Sequence, residues 1–262
     1  MVRHYGKDPV KAAVIHGGPG ALGSVACIAR ELSKTCGVIE PLQSGYTISS
    51  LISELHIQIG TYTKEPITLI GHSWGAWLII LFAQAYPEKI RQLVLVDSGP
   101  FCTKYVPQIA KRRLANLSLE DGYAFQQAAA QLQDDSYSDR DRAFETLGRL
   151  AEKADHYAPI DAAEPGDFFP SGGEQYAAIW PEADALRANG TLYRALGAIQ
   201  CPVTVIHGEL DPHPVEGVTV PLREQGVSFT SYILPKCGHA PFLEQYAMNR
   251  FYEILRSIIA QA

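Results

Sequence analysis

Nothing in this 262-residue chain is apolar for long enough to cross a bilayer. The longest run, Trp77-Leu78-Ile79-Ile80-Leu81-Phe82-Ala83, falls well short of the roughly 20 residues a spanning helix needs. The amino-terminal residues lack the charged start, apolar run and cleavage site of a secretory leader. Cysteine is scarce: the 5 residues, Cys27, Cys36, Cys102, Cys201 and Cys237, form no CxxC pair and no Cys/His comb. Neither a disulfide framework nor a zinc site is therefore expected, and a reducing compartment is. Positive charge is not in excess, since 22 Lys and Arg against 28 Asp and Glu leave a net charge of -6. That balance lacks the clustered basic face of a nucleic-acid binder. The one basic cluster, Lys111-Arg112-Arg113, reads as a solvated helix face. No internal repeat or low-complexity tract is present. What these absences leave is a soluble, cytoplasmic protein without metal or cofactor, acting on a small molecule or short peptide and engaging neither nucleic acid nor membrane.

What the chain does have is enough apolar residues, 47%, to fill a core. At this length roughly 75% of the unfolded surface can be buried without staples. Short β-branched runs at Ala12–Ile15, Gly37–Ile39, Ile67–Ile70, Leu93–Val96, Val203–Ile206 and Phe229–Leu234 are nearly continuous in apolar character, as parallel strands covered on both faces are. Helix-like stretches fall between them, near Ser24–Thr35, Ile48–Thr63, Trp74–Tyr86, Val218–Gln225 and Pro241–Ile259, with Pro87 ending the third. This alternation predicts an α/β fold: a doubly wound, mostly parallel sheet of about six strands. It breaks once, in a polar, aromatic, helix-prone segment that follows the fourth parallel strand. The segment is too poor in strand signals to be a second α/β unit, so residues 1–98 and 200–262 are expected to form the core and 99–199 a helical cap. The Pro/Gly-rich stretch 159–173 is expected to loop between two helical pairs.

Chemistry concentrates in a few places. Gly71-His72-Ser73-Trp74-Gly75 matches G-x-S-x-G, preceded by a strand and followed by a helix. That setting makes Ser73 the candidate nucleophile: a sharp turn lifts its hydroxyl above the sheet edge, and the helix N-terminus faces the developing negative charge. His16-Gly17-Gly18-Pro19-Gly20 follows the first parallel strand. Its backbone and that of Trp74 are the expected oxyanion donors, through Gly18 and Trp74, with Gly17 the alternative to Gly18. A serine hydroxyl needs a base, and the base needs an orienting acid. His239, in the loop after the last strand, is the candidate base, with His213 its rival. Asp211 is the candidate acid, with Asp97 and Glu209 as alternatives. Ser73, Asp211, His239 is the chain order of this fold's triad.

At this point the residues resemble a known family. HGGPG together with GHSWG is similar to the α/β-hydrolase superfamily, and within it to the proline iminopeptidase branch and its esterase-like relatives. The segments Lys89–Asp97 and Gly238–Glu244 resemble it too. The resemblance implies acyl-bond cleavage through a serine acyl-enzyme. Alternatives with the same residues are C–C bond hydrolysis, a lyase-type reaction, or a receptor-like protein with a slow triad. Iminopeptidases recognise a free amine with acidic cap residues, for which Asp161, Glu164, Asp167 and Glu174 are the candidates here, although a solvated acidic loop is the simpler reading. Phe101, Tyr105, Tyr176 and Trp180 are candidates for an apolar pocket wall, and Cys102 for an approach to it. The antiparallel strands that normally open the fold are reduced or absent, so the strand near Gly37–Glu40 should be a sheet edge, covered by the N-terminal residues or by a partner subunit in a homodimer.

Overall fold

The computed structural model describes every residue except 165, 170, 171 and 262. Its strands and helices run in the order β1 (Val2–Tyr5), β2 (Val10–Ile15), α1 (Ala26–Leu32), β3 (Gly37–Pro41), α2 (Ile48–Tyr62), β4 (Ile67–His72), α3 (Trp74–Ala85) and β5 (Ile90–Val96). Five helices follow: α4 (Val106–Asn116), α5 (Leu119–Leu132), α6 (Arg140–Asp155), α7 (Gly173–Ala188) and α8 (Thr191–Ala195). The chain then completes the sheet with β6 (Val203–Gly208), α9 (Glu216–Glu224), β7 (Phe229–Leu234) and α10 (Met248–Ala260). The 7-stranded sheet has the order β1-β3-β2-β4-β5-β6-β7. Every pairing is parallel except β1 with β3.

Successive side chains of a strand point to opposite faces, so each inner strand feeds two cores. Ala13, Ile15, Leu69, Leu93, Leu95, Val203 and Val205 pack with α2 and α3 on one face. Ala12, Val14, Ile70, Val94, Val96 and Ile206 pack with α1 and α10 on the other. This is why the strand segments read as unbroken apolar runs. The outer strand β7 is the exception: Thr230, Ser231 and Ile233 are exposed, because the strand is an edge.

The opposite edge is closed by the chain itself. β1 pairs along β3 from Val2↔Pro41 to Tyr5↔Val38. The fully buried Glu40 carboxylate accepts hydrogen bonds from the Tyr5 hydroxyl at 2.9 Å and from Arg3 at 3.3 Å. An antiparallel strand thus stands at this end of the sheet and covers β3.

Two sequence expectations need correction. The last helix begins at Met248; Pro241–Leu243 is a separate 3₁₀ turn. The interruption has a cause in Glu244, fully buried, whose carboxylate accepts the backbone N–H groups of Tyr157 at 2.8 Å, Ala158 at 2.7 Å and Gly238 at 3.1 Å. A helix through this point would withdraw the side chain that joins the end of α6 to the His239 loop. The second concerns residues 159–173. They do loop between helices, but three precede the loop and two follow it, and Pro165, Pro170 and Ser171 lie outside the described residues. α5 and α6 share a small core of Ala128, Leu132, Ala143 and Leu147. Ile179 and Ala183 of α7 and Leu192 and Ala195 of α8 instead join the core on the sheet. Among the described residues no helix is long and apolar enough to cross a membrane.

Candidate active site

The turn from β4 into α3 forces Ser73 to φ 53° and ψ −116°. Such a backbone is costly for a residue with a side chain and persists only where its surroundings hold it. They do: the Ser73 N–H donates to Val96 O at 2.9 Å. Glycine is required on both sides, since a Cβ on Gly71 would strike the Gly75 backbone, and one on Gly75 would lie 2.5 Å from Ile15 O and 2.6 Å from His16 O. Gly75→Ala is therefore expected to destabilise the fold by about 1–3 kcal/mol, the usual cost of overpacking. Urea unfolding measures this, and an unchanged midpoint would contradict the packing described. Among the described residues the non-glycine positions with positive φ are Ser73, Asp97 and Lys236. Each follows the carboxyl end of a strand, β4, β5 or β7, so backbone strain gathers at the edge of the sheet where the site lies.

The structure brings Ser73, His239 and Asp211 together. Ser73 Oγ lies 2.9 Å from His239 Nε2, and His239 Nδ1 lies 2.8 Å from Asp211 Oδ2. Burial works against a charged imidazole at His239, but the Asp211 carboxylate outweighs it by charge and hydrogen bond, with Asp155 adding to it, and holds the group above its ordinary value. Burial likewise opposes the Asp211 charge, and His239, His213 and His207 around it prevail, holding the carboxyl well below its usual range.

The alternatives fall elsewhere. Asp97 Oδ1 accepts the Gly208 N–H at 2.7 Å. Its carboxyl is driven up by burial and by the Asp211 charge, so of the two buried acids Asp211 is the one that ionises. Glu209 faces the Lys236 N–H at 3.4 Å. His213 binds Asp211 rather than Ser73. His72 donates from Nε2 to the His239 carbonyl at 2.8 Å, and burial, followed by the nearby His239, lowers its pKa to about 3. It is a neutral prop for the loop.

Two residues here carried no signal of a role in the sequence. Asp155 accepts the His239 N–H through its backbone oxygen at 2.8 Å, and its carboxylate holds Arg113 by contacts of 2.7 and 2.5 Å. Arg113 is thus not part of a solvated face, as its basic cluster suggested; its partner sits 42 positions away and no local pattern reveals it.

Ser73, His239, Gly17, Gly18 and Trp74 open on one cavity of about 450 Å³. The glycine loop lies on the serine: a Cβ on Gly17 would come within 3.4 Å of Ser73 Cβ. Gly18 has φ 76°, and Trp74 is the first residue of α3, where backbone N–H groups have no partner within the helix. The wall facing them comes from the insertion, with Ile109, Phe125, Phe144, Leu147, Tyr176 and Trp180. Trp180 stacks on Tyr176 and on Trp77, with ring centroids 5.7 and 6.3 Å apart. Of the aromatic candidates, Tyr176 and Trp180 line the cavity, Phe101 is buried in the core, and neither Tyr105 nor Cys102 reaches it. The four acidic loop candidates do not line it either. Glu164 and Asp167 pair with Arg30, Glu174 pairs with Arg140, and Asp161 accepts the Ala163 N–H.

The sequence profile described as "Alpha/beta hydrolase family" matches residues 14–249. A 3-hydroxybutyrate-oligomer hydrolase of Cupriavidus necator is 27% identical over 203 residues, which are 76% of this chain and 67% of that one. A cis-3-alkyl-4-alkyloxetan-2-one decarboxylase of Shewanella oneidensis is 37% identical over 70 residues, only 25% of this chain and 22% of that one. Among solved structures, the proline iminopeptidase of Mycobacterium smegmatis superposes with a TM-score of 0.67 at 21% identity, covering 99% of this chain and 94% of that one.

Proposed function

The chain belongs to the alpha/beta hydrolase family, and on that premise we propose that it is a serine hydrolase cleaving esters of a compact, uncharged acyl group through an acyl-enzyme. The observation that carries this reading is the unbroken hydrogen-bonded line from Ser73 Oγ through His239 to Asp211, at 2.9 and 2.8 Å, on the floor of an aromatic-walled cavity. His239 takes the Ser73 proton as the oxygen attacks the substrate carbonyl. The oxyanion meets the N–H groups of Gly18 and Trp74, and His239 then protonates the leaving group. Water repeats the sequence on the acyl-enzyme. Helices α4–α7 act as the cap and supply the acyl pocket.

An ester is favoured over a peptide with a free amino end. Binding an ammonium group would call for an unpaired carboxylate in the cavity. Of the two acids that line it, Asp155 is taken by Arg113, and Glu152 is exposed to solvent, which screens its attraction for an ammonium group. A panel of p-nitrophenyl esters and aminoacyl-naphthylamides tests this: turnover of short acyl esters and none of the aminoacyl amides is expected, and the reverse preference would overturn it. The local likeness to a decarboxylase supports a lyase-type reaction as the second reading, and the released products separate the two.

A pH dependence follows from the site. His239 must be neutral to accept the serine proton, and its pKa is raised. Activity is therefore full above that pKa and lost as pH falls through it, with Asp211 remaining ionised throughout. The acid limb of kcat/KM is expected as a single-proton step above imidazole's ordinary value of about 6.5. A limb midpoint well below that value would contradict the assignment.

A further inference from the structure

Asp211 serves two imidazoles. Oδ2 meets His239 Nδ1 at 2.8 Å, while Oδ1 meets both the backbone N–H of His213, at 2.8 Å, and its Nδ1, at 2.9 Å. The two rings stack, with centroids 4.3 Å apart and planes 27° from parallel. An ionised carboxylate only accepts, so each ring carries its hydrogen on Nδ1. That leaves His213 Nε2 as an acceptor, and it faces Arg113 Nη2, which can only donate, at 3.5 Å. A second proton on His213 would point at the guanidinium and would place a cation against the ring that must itself become cationic in the reaction.

We infer that His213 is a positioning residue for His239: it occupies Oδ1 of Asp211, fixes that carboxylate's orientation, and stays neutral so that the transferred proton resides on His239 alone. The inference rests on the reading of Ser73, His239 and Asp211 given above. Burial and the adjacent His239 lower the His213 pKa to about 4, in the same sense. The surrounding charges are accounted for. Arg113 and its partner Asp155 approach from α4 and α6, and Arg112 donates to the Asp211 backbone oxygen at 3.2 Å. From the sheet side, His207 lies 3.3 Å from Asp211 Oδ2 and gives its Nε2–H to the His213 carbonyl at 2.8 Å. Asp97 stands behind them, its carboxyl raised by burial and by Asp211. His72 is held neutral by burial. No other of these imidazoles can share the Asp211 Oδ1 contact, because the His213 backbone and side chain fill it.

The arrangement makes the donor of His213, rather than its bulk, the property that matters. In His213→Phe the stacked ring remains but Oδ1 loses its side-chain hydrogen bond. The less neutralised carboxylate then holds the His239 proton more tightly. The acid limb of kcat/KM is expected to move to higher pH by about one unit, the size of shift one such interaction brings. His213→Asn, whose amide N–H can reach the same oxygen, is expected to restore the limb towards its original position. An unmoved limb in the Phe variant, or an equal shift in both variants, overturns the inference. Should the Phe variant fail to fold, ¹⁵N-histidine spectra of the wild-type protein decide. His239 is expected to take its second proton above imidazole's ordinary value of about 6.5 while His213 stays neutral there, and titration of both rings together, or of His213 in place of His239, contradicts the inference. A wild-type protein in which fluorophosphonate leaves Ser73 unlabelled would instead refute the underlying reading, so the two failures are distinct.

Discussion

Ser73→Ala is expected to abolish turnover of an activated ester, with a loss on the order of 10⁶ in kcat, while leaving the unfolding midpoint nearly unchanged. The split between the two readouts follows from what the side chain does. Its hydroxyl makes one hydrogen bond, to His239 Nε2. The strain of the turn resides in the backbone at φ 53° and is carried equally by alanine. The N–H to Val96 O that anchors the turn is a main-chain bond and survives. What remains, on the proposed reading, is the same cavity with its oxyanion donors but no nucleophile. Residual turnover within about a hundredfold of wild type would mean that another group attacks the substrate.

Asp211→Asn is expected to cost about 10⁴ in kcat, in keeping with the effect of the same change in a serine-protease triad. An amide can turn its N–H₂ towards His239 Nδ1. The imidazole then accepts at Nδ1 and carries its hydrogen on Nε2, where it opposes the Ser73 hydroxyl instead of receiving its proton. The site leaves the asparagine little chance of the harmless orientation, because Oδ1 of the native carboxylate already receives the His213 N–H groups. Measured single-turnover rates on an activated ester check this. A loss below about tenfold would show that the carboxylate is not the orienting group, and would point to Asp97, whose carboxylate oxygen lies within 4.8 Å of one on Asp211.

Much of this was legible without coordinates, for a physical reason: the parts that could be read are local. The strained turn at Ser73 announces itself because glycine is needed at 71 and 75 to avoid backbone collisions. The inner strands announce themselves because both faces are covered. The features that escaped are those formed between distant segments. Arg113 looks solvated until α6 brings Asp155 to it. Pro241 to Leu243 looks like the start of a helix until Glu244 is seen holding the backbone after α6. β7 looks buried in sequence because nothing in its residues states that it lies at the edge of the sheet. The insertion reads in sequence as a helical cap, with Tyr176 and Trp180 among its candidates for the pocket wall, but the remaining lining residues are not legible there. Its apolar wall is assembled from α4, α5, α6 and α7, and no one of those helices carries it alone.

The covalent step is open to direct observation. Rapid quenching of the wild-type protein during turnover of a p-nitrophenyl ester, followed by peptide mass spectrometry, should find the acyl group on the peptide that contains Ser73. The same mass should be absent from the Ser73→Ala variant. Steady turnover by the wild-type protein with no acyl group on Ser73 at any time, or with the group on a different residue, would contradict the account.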